Sequence, residues 1–161
     1  MTVIAVTGHM DLAEESVPLV REALVALLGR YVEEGLTGVS CIAKGADALF
    51  ADAVLSLGGR LIVVVPSQDY REAKVKPDYV AEFDRLHQAA AEVAVMPYDE
   101  ANREAYEAAN SALLRRADRG VAVWDGQPGN GRGGTADTVA EARTIGLPVE
   151  VVWPEGACRR G

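Results

Sequence analysis

The sequence predicts a doubly wound α/β sandwich, in which a mostly parallel sheet of about six strands lies between two layers of helices. Short β-branched runs alternate along the chain with longer amphipathic segments. The predicted strands are near-continuous apolar runs, the pattern of a parallel sheet that is buried on both faces. Helices that connect successive parallel strands form right-handed crossovers, which place them on the faces of the sheet.

The first half of the chain contains three predicted strands and two predicted helices. The strands are the runs TVIAVT, GVSCIA and RLIVVV, at positions 2–7, 38–43 and 60–65. The helix over 14–34 repeats its apolar residues at the helical period of about 3.6 residues, and glycines follow it. The helix over 46–57 places Leu49, Ala53 and Leu57 on one face and ends before Gly58.

The second half begins with a polar stretch over 66–79 that contains two prolines and has no periodicity. We interpret it as a loop of a length that often forms a ligand lid, with Tyr70 and Tyr79 able to stack on a base. Three further helices and three further strands are then predicted. The helices cover 79–90, 100–117 and 135–144, and the strands cover 92–96, 120–124 and 148–153. A single domain is expected over 1–154, with a flexible tail at 155–161.

Composition narrows the class of protein. The chain has 161 residues and a net charge of −8, and an acidic surface disfavours extended contact with nucleic-acid backbones. Cys41 and Cys158 lie in unlike contexts, so neither a disulfide framework nor a metal site is predicted. No window reaches the ~18 apolar residues of a membrane span, and MTVIAV is unlike a signal peptide. We therefore expect a cytoplasmic protein without membrane contact.

Small and polar residues follow the predicted strands. In a doubly wound fold, ligands bind outside the carboxyl ends of the strands, near the point where the strand order reverses. The residues expected to contact a ligand there are Thr7, Gly8, His9, Lys44, Gly45, Ala46, Asp47, Pro66, Asp125 and Gly126.

The most informative stretch is GNGRGGT, residues 129–135, directly before the helix over 135–144. A helix N-terminus offers unpaired N–H groups and a partial positive charge, which suit a phosphate. Gly133 and Gly134 would let the backbone approach the ligand, and the hydroxyl of Thr135 could cap the helix or bind a phosphate oxygen. The alternative is a flexible loop with a threonine N-cap.

Three polar residues have two interpretations each, and a fourth is expected to contact the ligand or the glycine loop. His9 could be a general acid or base, or a residue with a hydrogen-bonding and packing role. Lys44 could meet a phosphate or be solvated, and Asp47 could bind a ribose or base or favour the start of a helix. Asn110 is disfavoured in a helix interior by propensity, so contact with the glycine loop or the ligand is expected.

The segments VTGHMDL (6–12), AKGAD (43–47), Asn110 and VWDG…GRGGT (123–135) together resemble the SLOG superfamily. That superfamily contains LOG phosphoribohydrolases, DNA-processing proteins, molybdenum-cofactor carriers and small uncharacterised proteins. The resemblance covers residues 2–153 and implies a Rossmann-like sheet that binds a nucleotide or a nucleotide-derived ligand at the Gly-Gly-Thr turn. It also implies a homodimer or higher homo-oligomer.

The sequence departs from the enzymatic branch at one motif. LOG enzymes carry PGGxGTxxE, but the position three residues after Thr135 is Thr138, and the arginine of the preceding helix is not evident. The candidates for an acid or base are then His9, Asp137 and Glu141.

Three functions follow, in order of preference. The first is binding, and possible sensing, of a nucleotide-derived small molecule, with no cofactor required. The second is N-glycosidic cleavage of a nucleoside 5'-monophosphate. The third is DNA binding, which the acidic composition disfavours. The sequence leaves open whether the ligand is turned over.

Overall fold

The computed structural model describes residues 1–129 and 134–160. Six parallel strands form one sheet. They are Thr2–Gly8 (β1), Leu36–Ser40 (β2), Arg60–Val65 (β3), Glu92–Val95 (β4), Arg119–Val123 (β5) and Val149–Val152 (β6). The helices are Val17–Gly29 (α1), Ala46–Ser56 (α2), Tyr70–Lys74 (α3), Val80–Ala89 (α4), Arg103–Arg115 (α5) and Thr135–Thr144 (α6). The predicted α/β class and parallel sheet are confirmed.

The strand order is β4-β3-β2-β1-β5-β6, so the order reverses between β1 and β5. The register pairs Gly8 with Val123 at the carboxyl end of these two strands. This end of the sheet is therefore the topological switch point at which ligands bind in doubly wound folds.

Helices cover both faces of the sheet. On one face, α1 and α2 pack on each other over a core that contains Leu24, Phe50 and Val54, and α4 packs beside α2 through Phe83. On the other face, α5 and α6 enclose a smaller core. None of these helices, within the described parts of the chain, is long and apolar enough to cross a bilayer.

Several predicted elements differ in extent by a few residues, and two of these differences have a clear physical reason. The first helix was predicted over 14–34, but α1 covers Val17–Gly29 after a short 3-10 turn at Glu14–Ser16. Glu33 and Glu34 would place two carboxylates at a helix C-terminus, where the helix dipole disfavours them. The second strand was predicted to end at Ala43, but β2 ends at Ser40 because Ile42 adopts a left-handed conformation, with φ of 49°.

The stretch over 66–79 is not wholly a loop, since it contains α3. Tyr70 and Tyr79 are 7% and 9% exposed and pack with Phe83 in the core. Stacking of either ring on a base stays a prediction.

Gly8 lies where the sheet, α2 and the loop after β1 meet. A Cβ atom on Gly8 would stand 2.5 Å from Cβ of Ala46 and 2.8 Å from Cβ of Val123. Neither neighbour has a flexible end that could move aside, so this position requires glycine.

We expect Gly8→Ala to lower the free energy of unfolding by roughly 1–3 kcal/mol, the usual cost of overpacking. Chemical denaturation measures the loss. Gly29→Ala is the control, because a Cβ there meets nothing within 4 Å and the helix gains about 0.5–1 kcal/mol from the lost glycine entropy. Equal stability of Gly8→Ala and the wild type would contradict the packing argument.

Candidate functional site

The residue after β1 joins three elements at the switch point. The N–H of His9 donates to the carbonyl of Val123 at 3.1 Å, and the carbonyl of His9 accepts from the N–H of Ala46 at 3.1 Å. The loop after β1 is therefore fixed to the end of β5 and to the first residue of α2.

The imidazole of His9 is 7% exposed and lies against Asp125. Its Nε2 is 3.2 Å from the backbone nitrogen of Asp125, which donates to it, and 3.3 Å from Oδ1 of the same residue. The ring also meets Trp153 edge-on, with centroids 5.6 Å apart. These contacts give His9 the hydrogen-bonding and packing role that the sequence left open, and they occupy Nε2 within the protein.

Asp125 and Gly126 form the turn after β5. The carboxylate of Asp125 accepts a 3.0 Å hydrogen bond from the N–H of Gln127, and Gly126 has φ of 83°, which favours glycine. Burial raises the pKa of Asp125, but the hydrogen bond from Gln127 and the contacts with His9 and Arg159 outweigh it, so the net pKa is lowered.

Arg159 joins this site from a segment that was expected to be a flexible tail. Its Nε donates to both carboxylate oxygens of Asp11, at 2.9 and 3.1 Å, and its Nη1 lies 3.8 Å from Oδ2 of Asp125. Burial raises the pKa of Asp11, but the hydrogen bond and charge of Arg159 outweigh it and lower the net pKa.

Backbone contacts hold the same segment. Leu12 and Arg159 form an antiparallel bridge, the N–H of Ala13 donates to the carbonyl of Cys158 at 3.0 Å, and Ser16 also bonds to Cys158. We name residues 157–160 the strap. The tail prediction is corrected for these residues: sequence reasoning missed them because they have no periodicity, and opposite charge on Arg159 and Asp11 was the only signal.

The N-terminus of α6 opens on the same edge of the sheet. Gly134 is its N-cap residue, is exposed, and makes no side-chain capping bond. A Cβ on Gly134 would meet nothing within 4 Å. Thr135 is half-buried as the first residue of the helix, whereas Gly133 lies outside the described residues.

Two threonines connect β1 to this helix. Thr7 and Thr138 line the same small pocket between β1 and α6. Thr138 is 3% exposed and its hydroxyl donates to the carbonyl of Gly134 at 3.2 Å. The residue that stands where LOG enzymes carry glutamate therefore packs inside the helix layer.

The two acid or base candidates on α6, Asp137 and Glu141, lie in different surroundings. Asp137 lies exposed in the first turn. Glu141 accepts a hydrogen bond from the hydroxyl of Ser111 on α5, six residues beyond Thr135. Asn110, half-buried on α5, is the neighbour of that serine. Only Asp137 among these lies at the end of α6 that faces the switch point.

The turn between β2 and α2 is strained. Ile42 is a β-branched residue in the left-handed region, which is a marked outlier. Its N–H donates to the hydroxyl of Ser40 at 3.0 Å, and its carbonyl accepts from the hydroxyl of Tyr79 at 2.7 Å. Gly45 continues the turn with φ of 95° and packs under His9 and Met10.

Asp47 lies in the first turn of α2, directly after Ala46. Burial raises the pKa of its carboxyl group to about 7, against the lowering effect of a hydrogen bond from the backbone of Ala43. Asp47 as a whole is half-buried, so its carboxyl group is the enclosed part of the residue. The carboxyl group of Asp47 thus lies enclosed at the start of α2, beside the strained turn.

A cleft of about 540 Å³ lies on the other side of the loop after β1. Met10, Lys44, Gly45 and Tyr79 belong to its lining. Lys44 is exposed and pairs with Asp78 at 3.3 Å. Pro66 is buried at the end of β3 and does not line this cleft. The predicted residues therefore lie on two sides of one loop, with α6 on one side and the cleft on the other.

No group of three or more His, Cys, Asp or Glu residues within 1–129 and 134–160 is arranged to hold a metal ion.

Solved structures share this fold. DNA processing protein A (DprA) from Streptococcus pneumoniae matches with a TM-score of 0.69 and 18% identity over 97% of this chain and 52% of that one. DprA from Helicobacter pylori is described for its single-stranded DNA binding mode. It matches with a TM-score of 0.69 and 15% identity over 98% of this chain and 68% of that one. The Moco carrier protein from Chlamydomonas reinhardtii matches with a TM-score of 0.59 and 21% identity over 96% of this chain and 78% of that one.

These matches confirm the predicted Rossmann-like fold. The chain spans about half the length of the pneumococcal protein. No family model and no curated protein matches the sequence.

We expect Arg159→Gln to raise the pKa of both Asp11 and Asp125, because the cation beside them is lost. A carboxylate with a lowered folded-state pKa stabilises the fold above its unfolded pKa of about 3.9, and this contribution is lost as the pH falls through the folded value. The variant should therefore be less stable than wild type at pH 7, with the difference vanishing in acid.

Carboxyl titrations by NMR and denaturation at several pH values test this. Arg160→Gln is the matched control, since no ion pair of Arg160 exists among the described residues. Equal effects of the two variants on the Asp11 and Asp125 pKa values would contradict the assigned contacts.

We expect Asp47→Asn to raise the free energy of unfolding at pH 8. A folded-state pKa of about 7 exceeds the unfolded value of about 3.9, so ionisation favours the unfolded chain as the pH rises between them. The gain should disappear below about pH 4. Asp99→Asn, at an exposed position, is the control, and a gain of equal size at both pH values would argue against a buried carboxyl group.

Proposed function

We propose that this protein binds a nucleotide or nucleotide-derived small molecule at the carboxyl edge of its sheet, with the phosphate at the N-terminus of α6 and no further cofactor. The observation that carries the proposal is the exposed helix N-terminus at Gly134, which lies beside the switch point and whose N-cap residue has no side chain to cap the helix. Unpaired N–H groups and the helix dipole favour an anion there.

The ends of β1 and β5 support the same location. Thr7 lies near the end of β1, beside α6, and His9 is fixed to Asp125 at the end of β5. A pre-formed edge of this kind holds a ligand at little entropic cost, because its groups are already ordered before binding.

Two neighbours of the fold are named for binding. The Chlamydomonas protein is called a molybdenum-cofactor carrier, and the Helicobacter protein is described as binding single-stranded DNA. Binding is therefore a function that this fold can serve, and a phosphate-bearing small molecule suits the acidic composition of this chain better than an extended nucleic acid does.

N-glycosidic cleavage of a nucleoside 5'-monophosphate is the second candidate. It needs His9, Asp137 or Glu141 as acid or base. Nε2 of His9 is bonded to Asp125, and Glu141 is bonded to Ser111. Asp137 is the acid nearest the proposed phosphate position, since it lies in the first turn of α6.

The first experiment is a thermal-shift screen against nucleoside mono-, di- and triphosphates, NAD, ADP-ribose and cyclic dinucleotides. A ligand at a hundredfold excess over its Kd should stabilise the fold by about 2.7 kcal/mol, a shift of a few degrees. We expect Gly134→Asp to abolish the shift, because its carboxylate would cap the helix and repel a phosphate.

Gly134→Asn is the matched control, because it offers the same cap without the charge and should retain more of the shift. The absence of a shift with every phosphate ligand would overturn the proposal. Each stabilising ligand is then incubated with the protein, and free base is measured by chromatography. Released base that disappears in Asp137→Asn would favour the hydrolase.

A further inference from the structure

We propose that the 540 Å³ cleft beside α2 is a second binding site, which takes an organic anion with an apolar or aromatic body. The cleft lies between the loop after β1, α1, α2 and the α3–α4 region, and its lining includes no residue of β5 or α6. It therefore does not depend on the phosphate position proposed above.

The charge of the cleft is opposite to that of the whole chain. Six basic and three acidic residues line it, whereas the protein carries a net charge of −8. Arg21, Lys74 and Lys76 are exposed there and have no ion pair among the described residues. Such cations attract an anion at long range and hold it at short range.

The remaining basic residues of the lining have different surroundings. Arg85 donates to Asp52 at 2.7 Å and also contacts Glu82. Arg85 thus pairs with two of the three acidic residues, and the third, Asp11, pairs with Arg159. Lys44 pairs with Asp78. The net positive field of the cleft therefore comes chiefly from Arg21, Lys74, Lys76 and Arg160.

The floor of the cleft is apolar. Leu12, Leu49 and Tyr79 belong to its lining and are 4%, 8% and 9% exposed. Val17 and Val75 are half-buried within the same lining. A cavity of this size is within the range of about 300–1,000 Å³ for small-molecule sites, which combine an apolar floor with a few polar groups.

The walls are fixed before any ligand arrives. Leu12 is bridged to Arg159 of the strap, and Tyr79 is anchored through its hydroxyl to Ile42. An inorganic anion would leave the apolar floor unused, and a neutral apolar molecule would leave the cations unused. The combined lining therefore favours a molecule that has both parts.

The probe for this site is anilinonaphthalene sulfonate, an aromatic body with one negative charge whose fluorescence rises on an apolar surface. We expect saturable binding at one site per chain, with uncharged N-phenylnaphthylamine bound about tenfold more weakly. Arg21→Glu and Lys74→Glu should each weaken the sulfonate about fivefold, as expected from loss of an exposed charge contact.

Arg103→Glu is the matched control, because Arg103 is exposed at the start of α5 on the opposite face of the sheet and makes the same change in net charge. It should change binding less than about twofold. Equal affinity of Arg21→Glu, Lys74→Glu and Arg103→Glu for the sulfonate dye overturns the proposal. Displacement of the dye by oligothymidylate but not by naphthalene disulfonate would assign the cleft to nucleic acid and overturn it as well.

Gly134→Asp separates this proposal from the first. Dye binding should be unchanged in that variant, whatever becomes of nucleotide binding. Loss of the dye together with the nucleotide would show that the two surfaces form one site, and the independent cleft would be refuted.

Discussion

The backbone of His9 is the contact on which the rest of the site depends. Through one N–H and one carbonyl it fixes the loop after β1 to β5 and to α2, across the line where the strand order reverses. Gly8 and Gly45 allow this approach because any side chain at either would meet atoms closer than 3 Å. Gly8, His9 and Gly45 therefore fix the position of the loop. The position of the loop in turn divides the crevice into two sides.

The two sides attract negative charge by different physical means. The α6 side offers backbone N–H groups at a helix end, whose partial charge falls off within the first turn and is strongly directional. The cleft side offers long, solvated side chains such as Arg21 and Lys74, whose positions adapt to the ligand. Between them Asp11 and Asp125 share the one cation of Arg159, which weakens the repulsion that this acidic pair exerts on an anion at either side.

The sequence predicts the class of fold and the order of its elements because buried parallel strands such as RLIVVV carry a strong periodic signal. Local conformations are harder to predict. The left-handed Ile42 depends on Ser40 and Tyr79, of which the second lies 37 residues away, and no local rule places a β-branched residue there. The strap was missed for the same reason, since Arg159 finds Asp11 only after the chain has folded. The sequence predicts only part of the cleft. Lys44 and Gly45 are predicted ligand contacts, but Arg21 and Lys74 lie in a predicted helix and a predicted loop to which no ligand contact is assigned from these residues.

The pairing of β1 with β5 also governs how the chain can fold. β1 acquires β2 as a neighbour after a short connection, but its other neighbour lies more than a hundred residues further along the chain. Contacts of such long range close slowly because the loop entropy is lost before the contact is made. Until β5 arrives, β1 is an edge strand of apolar residues, and open edges of this kind pair readily with other chains. Until β5 pairs with it, β1 is therefore a strand through which this protein can aggregate before its crevice exists.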